Sequence, residues 1–167
     1  RARFCQEADL PPLPTDAIEA ARERFDGLLS ATGDEVVATI RDELQHTMMD
    51  NVGVFREEQG LKAAVEKVRE LKERYQRVRV QDKGKVFNTE LLEAWELGNL
   101  LDVAEVTAVS ALNRTESRGA HSREDYPERN DEEWLKHTLA YRTEDGGIEL
   151  RYKPVVITKF EPKERVY

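Results

Sequence analysis

Apolar residues recur along the middle of this chain at steps of three and four, the signature of helices that bury one stripe. Val37, Ile40, Leu44 and Met48 form the first stripe, closed by Asn51-Val52-Gly53. A second runs through Leu61, Val65, Val68, Leu71, Tyr75 and Val78. The third opens at Asn88, a good N-cap with Glu90 in the first turn. It carries Leu91, Leu92, Trp95, Leu100, Val103, Val106, Val109 and Leu112 around most of its circumference, and is expected to be the most buried of the set. Helices near 36–51, 58–78 and 88–114 with short joins predict a mainly α fold, an antiparallel three-helix bundle of spectrin-repeat-like form. Trp95, Leu92 and Val106 are expected in its shared core.

The flanks read differently. Leu10-Pro11-Pro12-Leu13-Pro14 is a stiff extended linker that no helix can cross. Asp16 to Glu19 resembles a capping box opening a short helix toward Leu29, Gly33 ends that element, and Thr32 with Glu35 is placed to cap the next. Glu70 with Arg74 and Glu73 with Arg77 are spaced for pairing on one helix face. Beyond residue 131 the period falls to two. His137 to Arg142 and Ile148 to Tyr152 alternate around Glu144-Asp145-Gly146-Gly147, which predicts a β-hairpin, with Val155 to Thr158 extended and a tail from Glu161 to Tyr167. The chain thus divides into a linker and variable helix (1–33), a bundle ending in a charged loop (34–131), and a hairpin with an extended tail (132–167).

Composition narrows the function. The 167 residues are 39% hydrophobic and 36% charged, with a formal net charge of -8, which suits a thin helical domain and gives no electrostatic attraction for nucleic acid or an anionic membrane. Cys5 is the single cysteine, so no internal disulfide forms. No apolar run approaches the ~20 residues of a membrane span. The start at Arg1-Ala2-Arg3 suggests a piece of a longer chain. His46, His121 and His137 are far apart without metal-ligand spacing. Gly-x-Ser-x-Gly, Gly-x-Gly-x-x-Gly and Walker patterns are missing, so no catalytic nucleophile, cofactor-binding residue or metal ligand is assigned. The basic run Lys72, Arg74, Arg77 and Arg79 reads as a solvated helix face.

The stretch that remains is 114–131. Arg114, Arg118, Arg123 and Arg129 stand among Glu116, Glu124, Asp125 and Glu128, with Gly119 and Pro127 breaking regular structure. Such opposed charge suits an ordered loop that docks onto something. His121 between Arg118 and Arg123 has two readings: an acid/base group beside an anionic substrate, or part of a salt-bridged loop fixing a domain interface. The second is favoured, because no nucleophile or cofactor site accompanies it.

Glu116-Ser117-Arg118-Gly119-Ala120-His121 also resembles a family motif. It is similar to the C-terminal domain of succinate dehydrogenase and fumarate reductase flavoprotein subunits. The likeness runs in order through Asp50-Asn51-Val52-Gly53-Val54-Phe55-Arg56, Lys85 to Leu92, Glu96 to Asp102, Trp134 to Leu139 and the tail Lys159 to Tyr167. L-Aspartate oxidases share something like the glutamate-serine-arginine-glycine block, so that family and a free-standing helical interaction module stay as alternatives. The resemblance implies a parent oxidoreductase that oxidises succinate to fumarate, or the reverse, at a covalently held FAD. It implies a scaffolding role for this chain, with the flavin-binding domain of the same parent chain and an iron–sulfur subunit as partners. The place implied is cytoplasmic, peripheral at the inner face of the membrane through the parent complex. Arg118, His121, Arg123 and Arg129 are the expected interdomain docking residues, and the fragment itself is expected to be inactive and without a cofactor.

Overall fold

The computed structural model describes residues 2–9 and 11–163, with side chains from residue 5 onward; Leu10 of the proline-rich segment and residues 164–167 of the tail lie outside the described residues. The elements are α1 (Ala2–Glu7), α2 (Ala17–Ser30), β1 (Glu35–Val36), α3 (Val37–Val52), β2 (Phe55–Arg56), α4 (Glu58–Tyr75), β3 (Val78–Arg79), α5 (Thr89–Asn113), β4 (Ser122–Arg123), α6 (Asp131–Trp134), β5 (Lys136–Arg142) and β6 (Ile148–Pro154). The first helix stands where a linker was expected, and Cys5 on it is exposed with a free thiol.

α3, α4 and α5 are the expected bundle, and the core shows how they run. One apolar cluster joins Val37 and Ile40 at the start of α3 to Val68 and Leu71 late in α4 and to Leu91, Ala94 and Leu97 at the start of α5. A second joins Val52, Leu61 and Val65 to Ala108 and Ala111, at the opposite ends of the same helices. Alternating directions follow. The end of α3, the start of α4 and the end of α5 therefore meet at one end of the molecule, beside the charged loop.

The buried face of α5 is Leu91, Ala94, Leu97, Gly98, Leu101, Ala104, Glu105, Ala108 and Ala111, more positions than any other described helix buries. That corrects the expected core. Leu92 and Val106 are 56% and 37% exposed, and Trp95 is half-buried beneath α2, its ring 6.1 Å from Phe25 with Arg24 stacked 4.5 Å from its centroid. The physical reason is close approach. Alanines and Gly98 let α3 and α4 lie tightly against α5, and a Cβ on Gly98 would sit 2.7 Å from the Tyr75 hydroxyl. Leu92, Leu100, Val103 and Val106 fall on the outer side.

Asn88 caps α5 as predicted, its Oδ1 accepting from the Leu91 amide at 2.8 Å. Other caps differ. Asp16 makes no side-chain cap, and Val36 rather than Thr32 precedes α3. Glu35 lies in β1, paired in parallel with Val78 of β3, and its carboxylate is clasped by Arg74 at 2.8 and 3.0 Å. Gly33 is required by this crossing, since a Cβ there would lie 1.8 Å from the Arg77 carbonyl oxygen. That strand pairing also stops α4 at Tyr75 rather than residue 78. Arg74 meets Glu70 at 3.4 Å as expected, whereas Arg77 turns away from Glu73 toward Asp34 and Glu35. The hairpin forms where predicted, Lys136 opposite Pro154 through Arg142 opposite Ile148, with Gly146 in the left-handed region at φ 83°. It lies on α5, held by Arg142 to Asp102 and by the Tyr152 hydroxyl to Asn113.

Candidate functional site

The loop from Arg114 to Asp131 closes the end of the bundle where three helix termini converge. Helix termini leave backbone groups unpaired, carbonyls at C-termini and amides at N-termini, with partial charges to match. Here each terminus meets the complementary side chain. Arg123 directs Nη1 at the Ala111, Leu112 and Arg114 carbonyls, at 3.2, 3.0 and 3.2 Å, so a cation caps the end of α5. Arg56 does the same for α3, its Nε donating to the Gly53 and Val52 carbonyls at 2.6 and 3.3 Å. Asp125 accepts from the Glu58 amide at 3.0 Å and so caps the start of α4 with an anion.

Arg123 and Asp125 complete the circuit by a bidentate pair, 2.7 Å at both contacts. Backbone pairing fixes the register: β4 runs parallel to β2, with Ser122 N–H donating to Val54 and Glu124 N–H to Arg56. Gly119, at φ 60°, makes the tight return between Arg118 and His121, whose backbones bond to each other.

Glu116 is the second centre. Its side chain is fully buried and accepts from Arg118 Nε and Nη2 at 2.8 and 2.9 Å, from the Asn130 amide at 2.9 Å, and from Arg114. Burial acts to raise its pKa, but hydrogen bonds from Arg118, Asn130 and Arg114 together outweigh it and hold the carboxyl below its ordinary range. Arg118 continues to Asp131 at 2.6 Å, and Asp131 in turn holds Arg129 at 2.7 Å. Arg129 also donates to the Lys163 carbonyl at 2.8 Å, tying the tail to the loop.

His121 bridges the two arginine caps. Its Nε2 is 3.0 Å from the Arg114 carbonyl and its Nδ1 is 2.6 Å from Arg56 Nη1. A guanidinium can only donate, so Nδ1 accepts and the proton sits on Nε2. Burial pushes the pKa of this ring down; the Arg114 carbonyl opposes that, while Arg56, Arg123 and Arg114 add to it. The imidazole is therefore neutral at pH 7, with both nitrogens engaged in holding the loop.

All four expected docking residues thus gather in one network, but not equivalently. Arg123 is 1% exposed, with every guanidinium contact inside the domain, whereas Arg118, His121 and Arg129 are half-buried at its edge. Arg56 and Glu116 were not singled out as functional from the sequence. Glu116 carried its signal in the motif, and Arg56 ended the Asp50–Arg56 block. Beside the network opens a cleft of about 660 Å³, lined by Arg56, Arg114, Arg118 and His121 on its polar side and by Val106, Trp134 and Leu135 among its apolar residues. His46 lies elsewhere, bonded to the Asp42 carbonyl, whereas His137 lines the cleft; no group of three or more metal-binding side chains occurs among the described residues.

Residues 41–167 match the family described as the fumarate reductase flavoprotein C-terminus. The chain belongs to that family. It is 49% identical over 144 residues to a fumarate reductase flavoprotein subunit of Haemophilus influenzae, covering 86% of this chain and 24% of that protein. To a succinate dehydrogenase flavoprotein subunit of Rickettsia bellii it is 43% identical over 163 residues, covering 93% and 27%. Among solved structures, a quinol fumarate reductase chain of E. coli superposes with a TM-score of 0.85 at 44% identity, covering 94% of this chain and 28% of that one. The chain spans about a quarter of the length of the curated relatives it matches, which are flavoprotein subunits of oxidoreductases. No helix among the described residues is long and apolar enough to cross a membrane.

Proposed function

We propose that this chain is the C-terminal scaffold of a flavoprotein subunit that interconverts succinate and fumarate, with FAD held by another part of the parent chain and electrons passing to an iron–sulfur subunit. The observation that carries the reading is the match of residues 41–167 to the flavoprotein C-terminal family, in a chain equal to only 24–28% of those subunits. In this reading flavin is held outside this chain, and two glycines of the bundle are accounted for by packing. Glycines 33 and 98, where backbone is left bare, are pressed against the Arg77 carbonyl and the Tyr75 hydroxyl, so protein fills the space a phosphate would need. In this reading the part played by this chain is mechanical.

In this reading Arg118, His121 and Arg129 present the loop's outer edge to the flavin-binding domain and help dock the iron–sulfur subunit. Arg123 acts from inside, keeping that edge in place. The parent complex sits peripherally at the inner, cytoplasmic face of the membrane, with no insertion by this chain. The test is paired. Purified alone, the 167-residue chain should be colourless and show no succinate-dependent dye reduction. In the full-length flavoprotein, Arg118→Lys with His121→Gln should lower iron–sulfur subunit association and succinate oxidation by about tenfold, one order being about 1.4 kcal/mol. The same changes should leave the melting temperature of the isolated chain within a few degrees. Unfolding of the isolated chain with an untouched whole enzyme would defeat the docking reading, and flavin absorbance in the isolated chain would defeat the scaffold reading.

A further inference from the structure

The cleft beside the loop has an unusual charge inventory. Arg114 and Arg118 lean on Glu116, Arg118 and Arg129 on Asp131, and Arg123 on Asp125. Two cations lining the cleft have no such partner. Arg56 bonds only to backbone carbonyls and to His121, and Lys136 rests on the rings of Trp134 and Tyr152, 4.6 and 4.1 Å from their centroids, with no carboxylate at ion-pair distance among the described residues. No aspartate or glutamate lines the cleft at all. Trp134, 7% exposed, is a lining residue too, and its indole N–H is buried without a hydrogen-bond acceptor. Buried donors in folded proteins are nearly always paired, so this one signals an absent neighbour.

Two unpartnered cations and an orphaned N–H call for the same chemistry, a carboxylate with adjoining peptide carbonyls. The apolar residues Val106, Leu135 and Val155 and the openness of an about 660 Å³ cleft suit a stretch of chain rather than a small enclosed anion. Relatives carry this domain on a polypeptide about four times its length, so most of the parent lies outside these residues.

We propose that the cleft receives an acidic segment of the parent flavoprotein chain from outside these 167 residues, an aspartate or glutamate of that segment pairing with Lys136 and Arg56. This rests on the scaffold reading and gives its interface a location and a chemistry. Lys136 is the reporter, because its side chain takes no part in the loop network, which reaches this residue only through the Arg114 bond to its backbone carbonyl. In the full-length flavoprotein, a zero-length carbodiimide should join the Lys136 amine to a carboxylate outside the 167 residues, identified by peptide mass spectrometry, and Lys136→Gln should abolish that product. Acetylation of Lys136 by an activated ester should be at least tenfold slower in the full-length protein than in the isolated chain. Equal acetylation in the two, or joining only to this domain, to the iron–sulfur subunit or to a second copy, would overturn the proposal. The Arg118→Lys, His121→Gln association assay does not involve Lys136. If association falls there while Lys136 stays open, the cleft proposal fails and the docking reading survives; if neither changes, both fail.

Discussion

The loop and the hairpin each contain the same small device, an arginine gripping a carboxylate two residues away with two parallel bonds. In the loop Arg123 holds Asp125 at 2.7 Å twice; in the hairpin Arg151 holds Glu149 at 2.8 Å twice. The local geometry is nearly identical and the surroundings are opposite. Arg123 is 1% exposed and spends its remaining donor on three carbonyls at the end of α5, while the Arg151 side chain is 59% exposed and has no backbone to cap. What the pair contributes is set by what else each group touches and by how much water replaces it. The loop pair should be structural, the hairpin pair nearly neutral.

The largest expected effect breaks the loop side. Arg123→Gln removes a buried charge, uncaps α5 and leaves Asp125 holding only the start of α4. Loss of one partner from a buried pair costs about 3–5 kcal/mol, measurable by urea unfolding of the isolated chain. A loss under about 1 kcal/mol would show that burial does not separate the two pairs.

An intermediate case sharpens the scale. Glu43 sits between the extremes, its side chain 32% exposed, gripped by Arg74 Nη1 and Nη2 at 2.8 and 2.9 Å and by Lys67 at 2.8 Å. Hydrogen bonds from Arg74 and then Lys67 lower its pKa to about 2 from an ordinary 4.5. The folded value lies below the unfolded one, so the unfolded state binds the proton first as pH falls. The stabilisation is whole above about pH 4.5 and is lost as pH descends toward 2. Glu43→Gln should therefore cost about 1–2 kcal/mol at pH 7, solvent screening removing the rest. That cost should shrink toward nothing near pH 2; a difference independent of pH would mean that packing, not ionisation, is what Glu43 supplies.

These cases also mark how far the sequence could be read. The three long helices and the hairpin were legible because periods of 3.6 and 2 follow from backbone geometry, and Asn88 because a cap acts on its own turn. The inner face of α5 was not. Bulk drew the eye to Leu92, Trp95 and Val106, whereas close helix packing selected Ala94, Gly98, Ala104, Ala108 and Ala111. The charged loop was visible as a cluster, and its four arginines do share one network. Its partners were not visible, because three of the groups Arg123 meets are main-chain carbonyls at a helix end, and Arg56 reaches it from 67 residues earlier through the β2–β4 pairing. Opposed charges advertise themselves in a sequence; helix ends brought together by folding do not.

The smallest expected effect tests the hairpin side. Arg151→Gln removes a bidentate pair whose geometry matches that of Arg123 and Asp125, along with its stacking 4.8 Å from the Tyr141 ring. Both charged groups remain in water before and after, and Glu149 keeps its solvation when the guanidinium is gone. Its pKa, lowered by the Arg151 hydrogen bond, should simply return toward the ordinary carboxylate range. The strand register does not depend on the pair, since it is set by the seven backbone pairings from Lys136–Pro154 to Arg142–Ile148 and by the Gly146 turn. The melting temperature of the isolated chain should therefore not shift resolvably, and added salt should change wild type and variant alike. A clear drop, larger at low salt, would show that an exposed bidentate pair can stabilise a strand edge by itself, and the contrast between loop and hairpin would then rest on backbone capping rather than on burial.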